Sequence, residues 1–291
     1  MRFSVFTVMT PDLTPKQLIE HLVETGYDGV EWRYKETPEE FKQEQPSYWR
    51  FNKCTLQPNT TDEELASLRK STDEKRIEVV SVTPYLDVDD LQATEKVLQT
   101  AQKLGASTIR IGVPRYDRTE TYQELFKKAV QYVKEVEGMC KQYKVKGLVE
   151  THHQTITPSA SLAYQLVCHF DPSHIGVLYD PGNMVHEGFE NYRMGLELLG
   201  DYLAHVHVKN ACWQIGQQYP DGSIGWEVQW AQLEHGVVDW KQVLTDLQAV
   251  GYDGYVGFED FSGAFPTKDA LSHNINWIKQ LLTEIKGKAG D

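Results

Sequence analysis

Short apolar segments alternate with longer amphipathic segments along almost the whole chain. The short segments predict strands at residues 3–8, 29–33, 77–83, 107–113, 145–151, 175–179, 203–210 and 255–258. The amphipathic segments predict helices at 14–26, 61–75, 89–104, 119–143, 159–169, 191–199, 238–250 and 267–285. Strands that alternate with helices are typical of a parallel sheet covered by helices. Eight such units in one chain favour a closed (β/α)8 barrel over an open sheet.

The length of the chain fits this barrel as a single domain. Residues 1–291 exceed the common domain size, but barrels of about 250 residues form one domain, and no low-complexity linker divides the chain. An open dinucleotide-binding sheet would carry Gly-x-Gly-x-x-Gly after its first strand, and residues 7–11 contain no glycine. The barrel places the active site at the C-terminal ends of the strands, under long loops such as residues 34–60.

The strand at 203–210 reads Leu-Ala-His-Val-His-Val-Lys-Asn and holds two histidines two residues apart. Side chains two apart lie on one face of a strand, so His205 and His207 point the same way. Taken alone, this pair has two interpretations: hydrogen-bonded core histidines, or ligands at a site above the strand end.

Ionisable residues end the neighbouring strands as well. Glu150, Asp180 and Glu259 follow three apolar segments, and a barrel brings these ends together with the histidine strand. Each carboxylate taken alone can be explained as a helix cap or a solvent-facing residue. Three carboxylates that converge beside an imidazole would repel one another strongly without a counter-charge, and a divalent cation removes that conflict. Oxygen and nitrogen ligands in this ratio suit Mn²⁺, Mg²⁺, Co²⁺ or Zn²⁺.

Composition excludes several other classes of protein. A net charge of −13 argues against binding to nucleic acid, which uses clustered Lys and Arg. No apolar run approaches the roughly 18 residues that a membrane span requires. The start of the chain has no secretory signal pattern, and its four cysteines are scattered without a Cys-x-x-Cys pair. These features predict a cytoplasmic protein with reduced thiols and no membrane partner.

The strand ends also resemble a known family. They are similar to the metal-site motifs of the sugar phosphate isomerase/epimerase superfamily, the xylose isomerase-like barrels: Glu150-Thr151-His152, Asp180-Pro181-Gly182-Asn183, His205-Val206-His207-Val208-Lys209 and Gly257-Phe258-Glu259. The resemblance covers essentially the whole chain. It implies that Glu150, Asp180, His207 and Glu259 bind one divalent metal ion, with His207 rather than His205 as the ligand. Family members are often homodimers or homotetramers.

The same resemblance implies substrate-binding roles for His152, Asn183, His186 and Lys209. Asn183 stands where some epimerases carry a histidine, and His186 lies three residues farther along the chain. Many members continue their histidine strand with Lys-Asp, whereas this chain has Lys209 followed by asparagine. Trp213 occupies the place of a substrate-binding arginine. These departures concern the identity of the substrate more than the metal.

The resemblance implies a metal-dependent isomerase or epimerase of a sugar, sugar phosphate or related polyol. Manganese is one candidate for the metal. Glu150 and Glu259 would relay protons through a metal-stabilised enediolate. A lyase of the same fold, such as a keto-inositol or dehydroshikimate dehydratase, is the nearest alternative. An abasic-site endonuclease and a non-catalytic sugar-binding barrel are more distant ones. The aromatic residues near Trp49 and Trp213 are expected either to close the site or to pack between subunits. Glu31 is expected to pair with Arg33 or to bind a hydroxyl group.

Overall fold

The computed structural model describes residues 1–288 and contains a closed barrel. The strands of these residues are, in chain order, β1 (Arg2–Phe6), β2 (Gly29–Tyr34), β3 (Glu78–Pro84), β4 (Thr108–Arg110), β5 (Lys146–Glu150), β6 (Ile175–Tyr179), β7 (Leu203–Val208), β8 (Ala211–Gln218), β9 (Ile224–Trp230) and β10 (Tyr255–Phe258). All of them except β8 and β9 belong to the barrel. The barrel order is β1-β10-β7-β6-β5-β4-β3-β2, and every neighbouring pair is parallel. The predicted (β/α)8 architecture is confirmed.

Helices connect the strands and surround the barrel. They are α1 (Pro15–Thr25), α2 (Asp62–Lys75), α3 (Leu91–Leu104), α4 (Tyr122–Tyr143), α5 (Ala160–Val167), α6 (Pro181–Glu187), α7 (Tyr192–Leu199), α8 (Trp240–Ala249) and α9 (Thr267–Lys288). Short 3₁₀ turns occur at Thr7–Met9, Glu39–Gln43 and Gly200–Tyr202. Within residues 1–288, no helix combines the length and apolar character needed to cross a bilayer.

Helix starts follow local sequence signals. Thr61 accepts a hydrogen bond from the Glu64 N–H, and the Glu64 carboxylate accepts one from the Thr61 N–H, which forms a capping box at the start of α2. Thr14 caps α1 in the same way, and Gly26 ends that helix in the left-handed conformation that glycine adopts without strain. These caps satisfy backbone donors and carbonyls that the helix itself leaves unpaired.

The segment after β7 differs from the expected loop, because β8 and β9 form an antiparallel hairpin. Its register pairs Trp213 with Val228 and Ile215 with Trp226. Side chains alternate between faces along a strand, so the apolar residues share one face of the hairpin and the glutamines and glutamates take the other. Trp230, on the apolar face, packs over the barrel mouth, whereas Ile215 and Trp226 farther out are 68% and 56% exposed.

Helix α6 is a second difference, since Asp180-Pro181-Gly182 had the composition of a turn. The Asp180 side chain accepts a hydrogen bond from the Asn183 N–H at 2.9 Å, and Pro181 occupies the first helical turn, where its missing N–H costs nothing. Gly182 is required for packing, because a Cβ there would lie 2.8 Å from the Lys209 backbone. The helix therefore fixes Asp180 at the end of β6, next to β7.

Candidate metal centre

Four buried side chains converge at the C-terminal mouth of the barrel. Glu150 ends β5, Asp180 follows β6, His207 lies in β7 and Glu259 follows β10. One potential ligand atom from each residue lies within 4.8 Å of all the others. His207 Nδ1 is 3.6 Å from Glu259 Oε2, 3.8 Å from Asp180 Oδ2 and 3.9 Å from Glu150 Oε1. The structure thus brings together all four residues that the sequence predicted as metal ligands.

The two ring nitrogens of His207 have different environments. Nε2 lies 2.9 Å from Glu31 Oε2, where a carboxylate can only accept a hydrogen bond. Nδ1 is buried and has no hydrogen-bond partner among the described residues. When Nε2–H donates to Glu31, the lone pair of Nδ1 is directed towards the three carboxylates. This arrangement, in which a carboxylate orients a histidine ligand, is the usual support of a metal-binding imidazole, and the residues fit a divalent cation.

Glu31 is itself held in place by residues of neighbouring strands. Its Oε1 accepts a hydrogen bond from Ser4 Oγ at 2.6 Å and lies 3.0 Å from His205 Nε2. Gly257 leaves the space for this carboxylate, because a Cβ on Gly257 would lie only 2.0 Å from Glu31 Oε1. Burial raises the pKa of Glu31, but its interactions with the two histidines outweigh burial and hold that pKa well below its usual value, so Glu31 stays ionised. His205 therefore supports the site through Glu31.

The expected pair between Glu31 and Arg33 is wrong. Arg33 donates to Thr55 Oγ1 and to the Trp49 carbonyl, each at 3.2 Å, and so ties the long segment after β2 to the barrel. Glu31 instead faces the barrel axis beside His207. Glu31 and Arg33 share one face of β2 in the sequence pattern, but the sequence could not show that His205 and His207 lie next to Glu31 inside the barrel.

Two cations, the buried Lys209 and the partly buried Arg110, neutralise part of the carboxylate cluster. Arg110 Nη1 lies 2.7 Å from Glu150 Oε2, and Lys209 Nζ lies 2.9 Å from Asp180 Oδ2 and also donates to Glu259. Burial raises the pKa of Glu150, but the charge of Arg110 outweighs it and lowers that pKa overall. Burial also opposes ionisation of Glu259, yet Lys209 and His207 bring its pKa to about 2. Both glutamates are therefore ionised at neutral pH.

Charge in the site remains unbalanced without another cation. Burial raises the pKa of Asp180, the least stabilised of the three carboxylates. Burial would lower the pKa of His207, but the charge of Glu31 and contacts with Glu259 raise it to about 10. Without a metal ion, a proton on His207 therefore supplies part of the positive charge that the carboxylates require. With neutral imidazoles, the ionised Glu31 and the three cluster carboxylates outnumber Arg110 and Lys209 by two charges. One divalent ion supplies that difference.

Three of the four predicted substrate-side residues line the cavity above this cluster. They are His152, Asn183 and Lys209. Asn183 Nδ2 donates to Asp180 Oδ2 at 3.0 Å and to Glu150 Oε1 at 3.2 Å, while its buried Oδ1 has no partner among the described residues. Asn183 therefore fixes two carboxylates and offers an acceptor. His186 does not line the cavity, and its ring stacks behind that of His153, with 3.9 Å between the ring centroids.

Comparisons with known proteins give the family. Residues 19–281 match the family described as the xylose isomerase-like TIM barrel. The chain belongs to this family. A comparison with curated protein sequences gives no match.

Solved structures share the fold of this xylose isomerase-like barrel. One described as L-ribulose 3-epimerase has 14% identity and a TM-score of 0.75, with 99% of this chain and 97% of that chain covered. IOLI protein with a bound zinc atom has 17% identity and a TM-score of 0.72, with 99% of both chains covered. AsbF from Bacillus anthracis, described as a probable 3-DHS dehydratase, has 18% identity and a TM-score of 0.67, with 96% and 99% covered. At these identities the likeness concerns the fold.

Sequence reasoning missed three residues of the site. Arg110 was missed because the predicted strand at 107–113 puts it in mid-strand, whereas β4 ends at Arg110 as β5 ends at Glu150. Glu31 was assigned the wrong partner. His153 was not among the predicted substrate-side residues, yet it lines the cavity together with His152, and the two rings stack 4.3 Å apart. Arg110 and His153 carry one signal, an ionisable side chain at or just after the C-terminal end of a barrel strand, whereas Glu31 lies within β2 and lacks that signal.

The departure at Asn210 has a structural reason. Asn210 Nδ2 donates to the Leu233 and Val238 carbonyls at 2.6 and 3.0 Å, and its Oδ1 accepts from the N–H groups of Ala211 and Val238 at 2.9 Å. Only an amide can donate and accept in this way, whereas a carboxylate would face two carbonyl oxygens. Asn210 therefore ties the base of the β8–β9 hairpin to the segment before α8.

Aromatic rings cover the carboxylate cluster. Phe261 lies 4.8 Å from Trp49 and 5.8 Å from Trp230, measured between ring centroids, and all three line the cavity. Lys209 Nζ lies 5.0 Å from the centre of the Trp230 ring, a cation–π distance. Trp49 and Trp230 therefore form part of the site's roof, while Trp213, on the same face of the hairpin as Trp230, is exposed and does not line the cavity.

Proposed function

We propose that this protein is a divalent-metal-dependent isomerase or epimerase of a sugar, sugar phosphate or related polyol. The observation that carries the proposal is the unpartnered Nδ1 of His207, which faces Glu150, Asp180 and Glu259 at 3.6–3.9 Å. A buried imidazole nitrogen among three carboxylates is the donor set of a Mn²⁺, Mg²⁺, Co²⁺ or Zn²⁺ site. A relative of the same fold binds zinc, and another is named as a ketose epimerase, which supports the same assignment.

When bound, such an ion would polarise the substrate carbonyl and stabilise the negative charge that develops as the neighbouring C–H proton leaves. The chain's own residues supply the proton transfer. Glu150 and Glu259 are both ionised, so either can accept a proton from the substrate carbon. If one glutamate accepts a proton and the other returns one to the opposite face, the product is an epimer. Return of the proton to the adjacent carbon isomerises an aldose and a ketose.

Other residues of the cavity hold the substrate. The Asn183 Oδ1 can accept a hydrogen bond from a sugar hydroxyl, since its amide nitrogen is committed to two carboxylates. Lys209 can donate to a substrate oxygen once an ion shares the charge of Asp180 and Glu259. The roof of Trp49, Trp230 and Phe261 excludes water and offers rings that stack on the apolar face of a sugar.

A lyase is the second candidate. His152 lines the cavity beside Glu150 and could protonate a leaving hydroxyl, which would turn proton removal into net loss of water. AsbF, a probable dehydratase, has the same fold, so the barrel itself is compatible with this reaction.

Solvent exchange tests the proposal. Protein loaded with Mn²⁺ or Co²⁺ is incubated in D₂O with keto sugars, and NMR follows deuterium on the carbon next to the carbonyl. Inversion of that centre identifies an epimerase, migration of the carbonyl identifies an isomerase, and an unsaturated product identifies the lyase. We expect Glu150→Gln and Glu259→Gln each to suppress exchange while part of the metal remains bound. The exposed Glu63→Gln on α2 serves as the matched control. A protein that binds less than one divalent ion per chain, or works equally well without one, refutes the proposal.

A further inference from the structure

The cavity above the carboxylates is larger than its ionic end. Its volume is about 800 Å³, and it extends from the cluster towards the segments that follow β3 and β4. Pockets of this size hold ligands of several rings. A single sugar ring bound at Glu150, Lys209 and Glu259 would leave the far part of the cavity unfilled.

The two ends of the cavity differ in chemistry. The end near the cluster is built from ionised groups, as described above. The far end, which we call the apolar arm, is lined by the apolar side chains Leu86, Val88, Ile111, Val113 and Pro114, and the exposed Asp87 and Arg115 stand at its rim. Tyr85 stands between the two ends, with its ring 4.9 Å from the Arg110 guanidinium. A surface of this kind binds apolar groups by removing them from water.

A phosphate group has no built site in this cavity. Two of its lining cations, Arg110 and Lys209, are committed to carboxylates. Arg115 is the one lining cation of the described residues that is outside such a pair; it is exposed at the rim and donates to Gln154 Oε1 at 2.8 Å. Phosphate recognition normally combines several charged donors, and a single exposed arginine does not provide them.

We propose that the substrate is a glycoside whose sugar ring carries a keto group, with that ring at the carboxylate cluster and an apolar group in the apolar arm. This inference rests on the proposed function, because that function places the reacting sugar at the cluster. The apolar group contributes affinity alone and takes no part in proton transfer. Each buried methylene is expected to tighten binding by about fourfold until the arm is filled.

Calorimetry with unreactive glucosides tests this inference without any turnover. The probes are glucose, glucose 6-phosphate, and methyl, butyl and hexyl β-glucoside, each titrated into protein saturated with Mn²⁺. We expect affinity to rise from methyl to hexyl glucoside by 10-fold or more, on the order of 1.4 kcal/mol. Val113→Asp should remove this gain and leave the affinity for the methyl glucoside unchanged, since Val113 lies in the arm and is only partly buried. Val23→Asp, on the exposed face of α1, is the matched control.

Two results would overturn the inference. Equal affinities for methyl and hexyl glucoside would show that the arm binds nothing apolar, and stronger binding of glucose 6-phosphate than of either would assign the far end to a phosphate. Both leave the proposed function intact, because deuterium exchange measures that separately. Conversely, a hexyl glucoside that binds tightly while no keto sugar exchanges deuterium supports the apolar arm and refutes the catalytic proposal.

Discussion

Gly257→Ala tests the support of the metal centre from the side opposite to the cavity. The added Cβ would lie 2.0 Å from Glu31 Oε1, 2.9 Å from His205 Nε2 and 3.0 Å from Ser4 Oγ. Glu31 is buried and must move by more than 1 Å to restore an ordinary contact distance, because carbon and oxygen touch at about 3.3 Å. The movement breaks its hydrogen bond to His207. Overpacking costs about 1 to 3 kcal/mol and loss of a charged hydrogen bond about 1.5 to 3 kcal/mol, so we expect destabilisation by about 3 to 5 kcal/mol.

Thermal unfolding with and without Mn²⁺ measures both consequences. The free energy change corresponds to a fall in Tm of roughly 5 to 15 °C. Metal affinity should fall by about 10- to 100-fold, the usual result of removing a group that orients a histidine ligand. Gly138→Ala is the control: Gly138 lies on α4 with no atom within 4 Å of an added Cβ, and the substitution should stabilise by about 0.5 to 1 kcal/mol.

The combination of Gly257→Ala with Glu31→Asp separates crowding from a general defect. The shorter carboxylate makes room for the new methyl group, so the double variant should recover part of the lost Tm. A Gly257→Ala protein with the parent's Tm and metal affinity would refute the reasoning, because it would show that Glu31 can move away from the new methyl group without loss.

Three further predictions concern single groups. His207→Ala should reduce metal content, measured by elemental analysis, far more than His205→Ala, and equal small effects would assign both histidines to the core. Burial lowers the pKa of His153 to about 3 and of His186 to about 4. Below a pH of about 6.5 the unfolded chain therefore binds more protons at these histidines than the folded chain does, and the free energy of unfolding falls as the pH drops from there towards 4. His153→Phe with His186→Phe should flatten that fall in urea unfolding of metal-free protein, and an unchanged slope would contradict it. The exposed Cys168 should react first with a thiol reagent, and a native protein with two or more equally fast thiols would not fit the structure.

Much of the fold could be predicted because local signals and burial agree. Strands β6 and β10 have the predicted bounds, and the capping residues set the starts of α1 and α2 where the sequence indicates them. The β8–β9 hairpin was missed although its connection, residues 219–223, contains the turn signal Asp221-Gly222. Both strands are mostly exposed, so no buried apolar run marked them in the sequence. Helix α6 was missed because an Asp-Pro-Gly start has the same composition as a turn.

The candidate metal centre was predictable to the extent that it depends on one rule, that strand ends meet at the barrel mouth. Glu150, Asp180, His207 and Glu259 all obey that rule. What could not be predicted is the identity of partners across the barrel, such as Glu31 with His207, because these depend on register and on which side chain reaches which. The free space at Gly257 likewise exists only in three dimensions.

Arg110 and Lys209 bear on whether the barrel can fold before it binds an ion. Many small metal domains remain unfolded until their ion arrives, since nothing else holds their ligands together. Here two side chains of the chain itself already hold Glu150, Asp180 and Glu259 in position. The newly made polypeptide can therefore complete its barrel first and acquire an ion later, and chelators should yield a folded apoprotein that can be reloaded with a different metal.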